Sequence, residues 1–418
     1  MPSRVAGSRS RRQLFVLVIA TLAAVTLVAG GCAAGEPEPD ADGVGVSAPT
    51  VFTPVVASVV ASSAPPVLGT DGRYHVLYEL ELLNAKEATA TLQSVEVLDA
   101  DQPSRVITSY TGPAVVGRLR TLVPAPAADA MIPAGQGRFL FVDLAFGSKQ
   151  EIPPRVVHHL TLLGADNPGA TAPSMLRYDA APVPIEGTVP VLGPPLRGAG
   201  WIAANGCCTN EITHRGSIQT VNGGFYDAQR YAIDWLRMDG QGRLVNGDPA
   251  NVRSFAGYGA DVIAATDGTV VQTLDKLPDQ APGKPPDPGT ITVDTVDGNH
   301  VVLDIGGGLY LFYAHLQPGS VAVRPGQRVG RGEQLGKLGN SGNTSAPHLH
   351  VHVMNGTSVL GSDGRPYVID RFGVAGQVPA GQFEASSNLA GSFSQGRTAA
   401  VEHRDQLPLN LQVIDFPN

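Results

Sequence analysis

The sequence predicts a mostly β protein, with an N-terminal antiparallel β-sandwich over residues 51–181 and a second antiparallel β domain over residues 201–378. Glycine and proline supply 50 and 34 of the 418 residues, so turns and short strands should dominate over long helices. Alternating apolar and polar runs, as in 75–82, recur in the first region between Gly, Pro and Asp residues. Such runs are typical of an antiparallel sandwich, for which an immunoglobulin-like topology is one option.

The composition excludes several functional classes. With 29 Lys and Arg residues against 37 Asp and Glu residues, the formal net charge is −8, which argues against binding to nucleic acids. An apolar fraction of 43% with only 16% charged residues is too hydrophobic for a wholly disordered chain. The length is sufficient for two domains, each with its own core.

The N-terminus has the pattern of an export signal, predicted to cover residues 1–31. Several arginines precede an apolar run over 14–28, and small residues then lead to Cys32. This arrangement resembles a bacterial lipobox, so Cys32 is predicted to carry a lipid that anchors the protein to a membrane. A cleaved signal with an incidental cysteine is the alternative. Residues 32–50 are predicted to be a flexible tether, and the predicted location is the cell envelope, on the outer face of the cytoplasmic membrane.

Three further segments complete the organisation of the chain. Residues 182–200 carry the prolines expected of a linker. Residues 379–418 form a C-terminal tail, in which the run 407–414 could supply one last strand. Cys207 and Cys208 are adjacent, so either a vicinal disulfide or two thiols is expected rather than a disulfide between distant segments.

The histidines give the first indication of chemistry. Three of the ten in the chain fall within five residues, at His348, His350 and His352. On a β-strand these positions point to one face, where neutral imidazoles can share a metal ion. A solvated histidine stripe is the alternative, but three histidines on one face favour a metal or catalytic site.

Other motifs accompany this cluster in a consistent order. They are YAIDW at 231–235, DVIAATDGTVV at 261–271, LFYAHL at 311–316, VRPGQRVGRGEQLG at 323–336, and a turn at 339–347 that leads into PHLH at 347–350. Together these motifs resemble the lysostaphin-type, or LytM-like, zinc metalloendopeptidases, which are a family of peptidoglycan hydrolases. The resemblance covers roughly residues 225–360 and implies a compact, mostly antiparallel β domain with an open groove.

The resemblance implies roles for individual residues. Asp234 and His350 would be ligands of Zn2+, whereas His315 and His348 would be catalytic histidines that do not bind the metal. Zinc can polarise a peptide carbonyl and activate a water molecule. Because the sequence has no H-E-x-x-H motif, a histidine has to orient and deprotonate the water and stabilise the oxyanion. The implied substrate is the peptide portion of peptidoglycan.

Two positions depart from the family pattern. A histidine normally lies four residues before the aspartate, but Arg230 occupies this position and has no lone pair for a metal. His352 replaces the usual acidic or amide residue, and both His352 and Arg230 are candidates for contacts that support the metal ligands. The alternative function is therefore a degenerate family member without zinc, which binds wall peptides or regulates another hydrolase. A proline-rich insertion at 278–288 is predicted to form a surface loop.

His214 is predicted to supply the missing third ligand. An Asn-Gly pair follows it and predicts a β-hairpin. If the loop is the three residues 222–224, His214 lies opposite Ala232 and on the same face as Asp234. A two-residue loop would move His214 to the wrong face. The alternative is that His214 lies on the surface and Arg230 pairs with Asp234.

Overall fold

The computed structural model describes residues 50–170, 172–209, 213–385, 393 and 397–418. The predicted export signal and Cys32 lie outside the described residues, as does the tether up to residue 49. Within the described part of the chain, no helix is both long enough and apolar enough to cross a membrane.

The first region is built from antiparallel strands and short helical segments. Their bounds are β1 Val55–Val59, β2 Val67–Leu68, β3 Tyr74–Asn84, β4 Ala90–Asp99, β5 Val106–Thr111, α1 Pro113–Arg118, β6 Leu119–Thr121, β7 Met131–Ile132, β8 Gly137–Phe146, a 3-10 turn Lys149–Glu151, β9 Arg155–Gly164 and β10 Ser174–Pro184. One sheet has the order β1-β3-β8-β6, with β2 also paired to β3. The other has the order β10-β9-β4-β5, with β7 also paired to β4.

Alternation along the strands places one face of each sheet in a shared core. In β9, every second residue from Val156 to Gly164 is buried, as expected for a strand with one covered face. Tyr78 and Leu80 of β3 and Leu160 of β9 belong to the same hydrophobic cluster. The first region therefore consists of two antiparallel sheets around one core, while the immunoglobulin-like topology remains a prediction.

The second region is dominated by one large sheet. Its elements are β11 Val191–Leu192, β12 Trp201–Ala204, β13 Gln219–Val221, β14 Gly224–Tyr226, β15 Ile233–Arg237, a 3-10 turn Val252–Ser254, β16 Asp261–Ile263, β17 Gly268–Leu274, a 3-10 turn Pro288–Thr290, β18 Asn299–Gly306, β19 Leu309–Leu316, β20 Arg328–Val329, β21 Gln334–Lys337, β22 Leu349–Met354, β23 Gly364–Arg365, β24 Val368–Ile369, β25 Phe372–Gln377, α2 Ala380–Ala385, β26 Arg397–His403 and β27 Gln412–Asp415. The sheet order is β20-β17-β18-β19-β22-β15-β12-β27-β25-β26, and β23 also pairs with β22. This arrangement confirms the mostly β, antiparallel fold class.

The segments predicted as linker and tail take part in the sheets. Strand β10 extends to Pro184, into the predicted linker, and β11 pairs in parallel with β24. In the tail, β27 pairs with both β12 and β25. Cys207 and Cys208 form a vicinal disulfide, which is one of the two states that the sequence left open.

Candidate metal centre and catalytic site

Asp234 and His350 lie on neighbouring strands in the middle of the large sheet. Strand β15 pairs with β22 so that Asp234 is directly opposite His350. Directly opposed residues share a face of the sheet, and His350 Nδ1 accordingly lies 3.0 Å from Asp234 Oδ1. The register of these two strands is therefore sufficient to bring the two side chains together.

His214 approaches Asp234 from a turn outside the sheet. Its Nε2 lies 3.2 Å from Asp234 Oδ2, and its Nδ1 lies 3.1 Å from the backbone oxygen of Ala232. The turn is closed by the backbone N–H of Ser217, which donates to the carbonyl oxygen of His214 at 3.0 Å. The structure thus places His214 beside Asp234, as a third potential ligand would have to be.

The prediction that a three-residue hairpin loop at 222–224 sets the position of His214 is wrong. Val221 pairs with Gly224, so the hairpin loop has two residues, Asn222 and Gly223, with φ of 51° and 82°. These positive φ values are those of a type I′ turn, which Asn-Gly favours. The paired strands extend only from Gln219 on one side to Tyr226 on the other. Since His214 lies five residues before Gln219, the first paired residue, the register of the hairpin determines nothing about the face on which His214 lies.

His214, Asp234 and His350 form a group that can hold a metal ion. One ligand atom from each residue lies within 4.8 Å of the other two. Two imidazole nitrogens and one carboxylate oxygen make a donor set of the kind found in hydrolytic zinc sites, which keep a further position for water. The Nδ1–H of His214 donates to the Ala232 carbonyl, so its Nε2 retains a lone pair for a metal. The residues present therefore fit zinc.

His315 and His348 form a second pair next to this group. Their ring centroids are 4.6 Å apart. His315 Nδ1 lies 2.8 Å from the backbone oxygen of Ser341, and His348 Nδ1 lies 2.8 Å from that of Ala346. The Nε2 of His348 is 3.2 Å from Asp234 Oδ1, although His348 is not a member of the three-residue group. In both rings Nδ1 is thus used in a hydrogen bond to the backbone, and Nε2 is the nitrogen that is available for proton transfer.

The electrostatics of the site assign protonation states to these side chains. Burial opposes ionisation of Asp234, but His214 and His348 outweigh it and hold the pKa of Asp234 well below its usual value. Burial lowers the pKa of His350 to about 4. Burial, reinforced by repulsion from His348 and His350, also holds the pKa of His315 well below its usual value. Asp234 is consequently an anion and both of these histidines are neutral, as a metal ligand and a base require.

His348 differs from His315 and His350 because its pKa is raised. Burial lowers it, but the carboxylate of Asp234 and their hydrogen bond raise it by more. Within one buried site, the pKa of His348 therefore moves in the opposite direction from that of His315. Titratable neighbours with pKa values shifted apart are typical of acid and base pairs in hydrolases.

His352 and Arg230, the two candidates for supporting contacts, have different positions. His352 is fully buried, and its Nδ1 lies 2.8 Å from Nε2 of His350. Arg230 instead forms ion pairs with Glu79 at 2.6 Å, Asp227 at 3.7 Å and Asp363 at 3.8 Å. The expectation that Arg230 supports the metal ligands directly, and the alternative that it pairs with Asp234, are not what the structure shows.

Two features of the site were not predicted from the sequence. Asn205 donates from Nδ2 to Asp234 Oδ2 at 2.8 Å, and no motif distinguishes this asparagine in the sequence.

The proline-rich insertion at 278–288 is more than a surface loop, because it forms hydrogen bonds with the segment that leads to His348. Asn340 donates its backbone N–H to Asp279 Oδ1 and accepts at its carbonyl oxygen from the N–H of Gln280, both at 2.7 Å.

Part of the second region is similar to a known protein family. Residues 251–361 match the profile of the family described as Peptidase family M23. This match confirms the LytM-like resemblance for this part of the chain.

Similar proteins and structures cover different shares of the chain. The peptidoglycan DD-endopeptidase ShyA of Vibrio cholerae serotype O1 is 39% identical over 57 residues, which are 14% of this chain and 13% of ShyA. The chain thus matches only a small part of this relative's length. The catalytic domain of lysostaphin from Staphylococcus simulans is 21% identical over 35% of this chain and 80% of that chain, with a TM-score of 0.21. A zinc containing peptidase from Vibrio cholerae is 14% identical over 71% and 84%, with a TM-score of 0.22.

Proposed function

We propose that this protein is an exported zinc metalloendopeptidase that hydrolyses peptide bonds in bacterial peptidoglycan. The observation that carries the proposal is the convergence of His214, Asp234 and His350 on one point, with donor atoms within 4.8 Å of one another. The family M23 match and the similarity to a peptidoglycan DD-endopeptidase support the reaction and the substrate class.

In this proposal His214 Nε2, an Asp234 oxygen and His350 Nδ1 hold the zinc. A zinc ion held there would supply a Lewis acid for the scissile carbonyl and would lower the pKa of the attacking water. Anionic Asp234 offers a lone pair directly, and neutral His350 offers the lone pair of Nδ1 when its single proton lies on Nε2 and is donated to His352 Nδ1. Asn205, which donates to Asp234 Oδ2, fixes the orientation of that carboxylate.

The second histidine pair provides the base and the acid. His315 donates its Nδ1–H to Ser341, so the unprotonated Nε2 accepts a proton from the attacking water. His348 has a raised pKa and carries a proton on Nε2 beside Asp234. That proton can stabilise the tetrahedral oxyanion and then pass to the leaving amine.

The test separates metal binding from catalysis. Metal analysis of the purified protein should find one zinc, and digestion of purified peptidoglycan should release peptide fragments identified by mass. His350→Ala should lose zinc and activity together. His348→Ala should keep its zinc but lose about 10²–10⁴-fold in rate, because a general acid contributes this much.

The control is His159→Ala, which removes a partly exposed histidine of β9 that pairs with Asp179. This variant should keep both zinc and activity. If His348→Ala digests peptidoglycan at the parental rate, the proposed acid is wrong. A zinc-free parent that binds peptidoglycan peptides without cutting them would instead establish the degenerate, non-catalytic alternative.

We further propose that Cys32 carries a lipid that holds the protein at a membrane surface. The support is the basic start, the apolar run and the small residues before Cys32. In cell fractionation, Cys32→Ser should move from the membrane to the soluble envelope fraction. Unchanged retention in the membrane fraction would refute acylation at this cysteine.

A further inference from the structure

A network of buried charges joins the first region to the residues next to the metal ligands. Glu79 of β3 accepts from Arg215 Nε at 3.1 Å and from Arg230 Nε at 2.7 Å. The side chain of Glu79 is completely buried, and those of both arginines are only 2% exposed. One carboxylate of the first region therefore binds two guanidinium groups of the second.

Arg215 directly follows His214 in the chain. Besides its contact with Glu79, its Nη2 donates to the backbone oxygens of Tyr78 at 3.2 Å and Val142 at 2.6 Å. These acceptors lie on β3 and β8, which are adjacent strands of one sheet. Arg215 is thus fixed by groups of the first region, and the backbone of His214 is fixed with it.

Arg230 has the corresponding position before the strand that carries Asp234. Its Nη1 donates to the carbonyl oxygen of Gly364 at 3.1 Å, while the rest of the guanidinium faces Glu79. The next residue, Tyr231, accepts at its hydroxyl from the backbone N–H of Leu77 at 3.3 Å. Strand β3 therefore contacts the chain on the N-terminal side of Asp234 as well as beside His214.

These contacts with the first region hold the turn that carries His214. His214 lies in a turn, so its position depends on the groups that hold the turn rather than on a regular sheet. Buried, hydrogen-bonded ion pairs have strict geometry, because a displaced partner leaves an uncompensated charge in a medium of low dielectric constant. A shift of the carboxylate of Glu79 is therefore transmitted through Arg215 to the imidazole of His214.

We propose that Glu79 is a positioning residue of the metal centre, which acts through Arg215 and Arg230 to hold His214 and Asp234 in zinc-binding geometry. The first region is then a structural part of the site rather than a separately tethered module. This inference rests on the proposed zinc function, and in particular on His214 as a ligand.

The test measures the zinc affinity of the full-length chain by competition with a chromophoric chelator, with circular dichroism and thermal unfolding as checks of the fold. Glu79→Gln should bind zinc at least about tenfold more weakly, the size of effect seen when groups that orient metal ligands are removed. Glu79→Asp keeps the buried charge, but its side chain is shorter by one methylene group. This variant should therefore fold and lose less zinc affinity than Glu79→Gln. Glu81→Gln, two residues further along the same strand, should bind zinc like the parent.

A double-mutant cycle with His214→Ala distinguishes positioning from general destabilisation. Because part of the effect of Glu79 is exerted through His214, Glu79→Gln should weaken zinc binding less in the His214→Ala background than in the parent. Additive losses, or parental affinity in folded Glu79→Gln, would overturn the proposal. If Glu79→Gln does not fold, parental affinity in Glu79→Asp overturns it equally. Parental affinity in His214→Ala alone would show that the ligand assignment is wrong, and the role of Glu79 would fall with it.

Discussion

At the scale of single residues, the proposed zinc site depends on which imidazole nitrogen each histidine presents. In His214, His315 and His348, Nδ1 lies 2.8–3.1 Å from a backbone carbonyl oxygen, so Nε2 is the reactive nitrogen. His350 is reversed, because its Nδ1 faces Asp234 and its Nε2 faces His352. The tautomer of each ring is thus determined by its second hydrogen bond, as is usual for metal-binding histidines.

This arrangement predicts a role for His352. If His350 Nδ1 binds zinc, its Nε2–H must donate to Nδ1 of His352, 2.8 Å away. His352→Phe removes that acceptor and leaves a buried N–H without a partner, so zinc affinity should fall about 10–100-fold. Chelator competition measures the change.

His300→Phe is the matched control for this prediction. His300 and His352 are both buried, and their rings lie 5.4 Å and 5.0 Å from the ring of Phe312. The His300 ring hydrogen-bonds to Gly298 and Gln272 rather than to a metal ligand. His300→Phe should therefore keep parental zinc affinity. An equal loss in both variants would mean that the aromatic packing, and not the acceptor at His352, controls zinc binding.

At the scale of elements, the loop before His348 is held by close backbone packing. Gly298 and Gly342 have φ of 67° and 86°, and a Cβ on either would overlap the backbone of the opposite segment. Ser341, which directly precedes Gly342 and packs against Gly298, accepts at its carbonyl oxygen from Nδ1 of His315. The two glycines thus permit the close approach that orients the ring of His315.

Gly342→Ala tests this packing. The left-handed φ alone costs an alanine about 1–2 kcal/mol, and the overlap with the backbone nitrogen of Gly298 should add about 1–3 kcal/mol. Urea unfolding should therefore show a larger loss of stability than in Gly326→Ala, where φ is 85° and the space is open. Activity should fall only in Gly342→Ala, since Ser341 is displaced. Equal stability losses in the two variants would contradict the close packing.

Local periodicity predicted part of the site, and contacts between distant segments supplied the rest. The alternation of strand residues correctly placed His350 and His352 on one side of β22, where their rings are 5.1 Å apart. The position of His214 was predicted from the register of a hairpin whose pairing begins only at Gln219, five residues after His214. The register therefore does not extend to His214, and this derivation was wrong. The pair of Arg215 with Glu79 joins residues 136 positions apart, and no period of 2 or 3.6 residues encodes such a contact.

At the scale of the whole molecule, the C-terminal tail completes the sheet that carries the site. Strand β27 lies between β12 and β25. Strand β12 in turn pairs with β15 so that Ala204 is opposite Asp234. Asn205, which follows directly, donates to the Asp234 carboxylate. The tail is therefore one strand removed from the strand that carries Asp234, although it lies outside the family M23 match at 251–361.

This topology predicts that the tail contributes to global stability. Ile414 of β27 is fully buried in the main hydrophobic core and lies opposite Trp201 of β12. Ile414→Ala should lower the free energy of unfolding by about 2–5 kcal/mol, because it removes buried methyl groups and leaves a cavity. Val401→Ala, at a 62% exposed position of β26, should change stability by less than about 0.5 kcal/mol. Urea unfolding measures both, and similar values for the two variants would show that β27 is peripheral to the sheet. A large loss at Ile414 alone would establish that the sheet around Asp234 requires the tail strand.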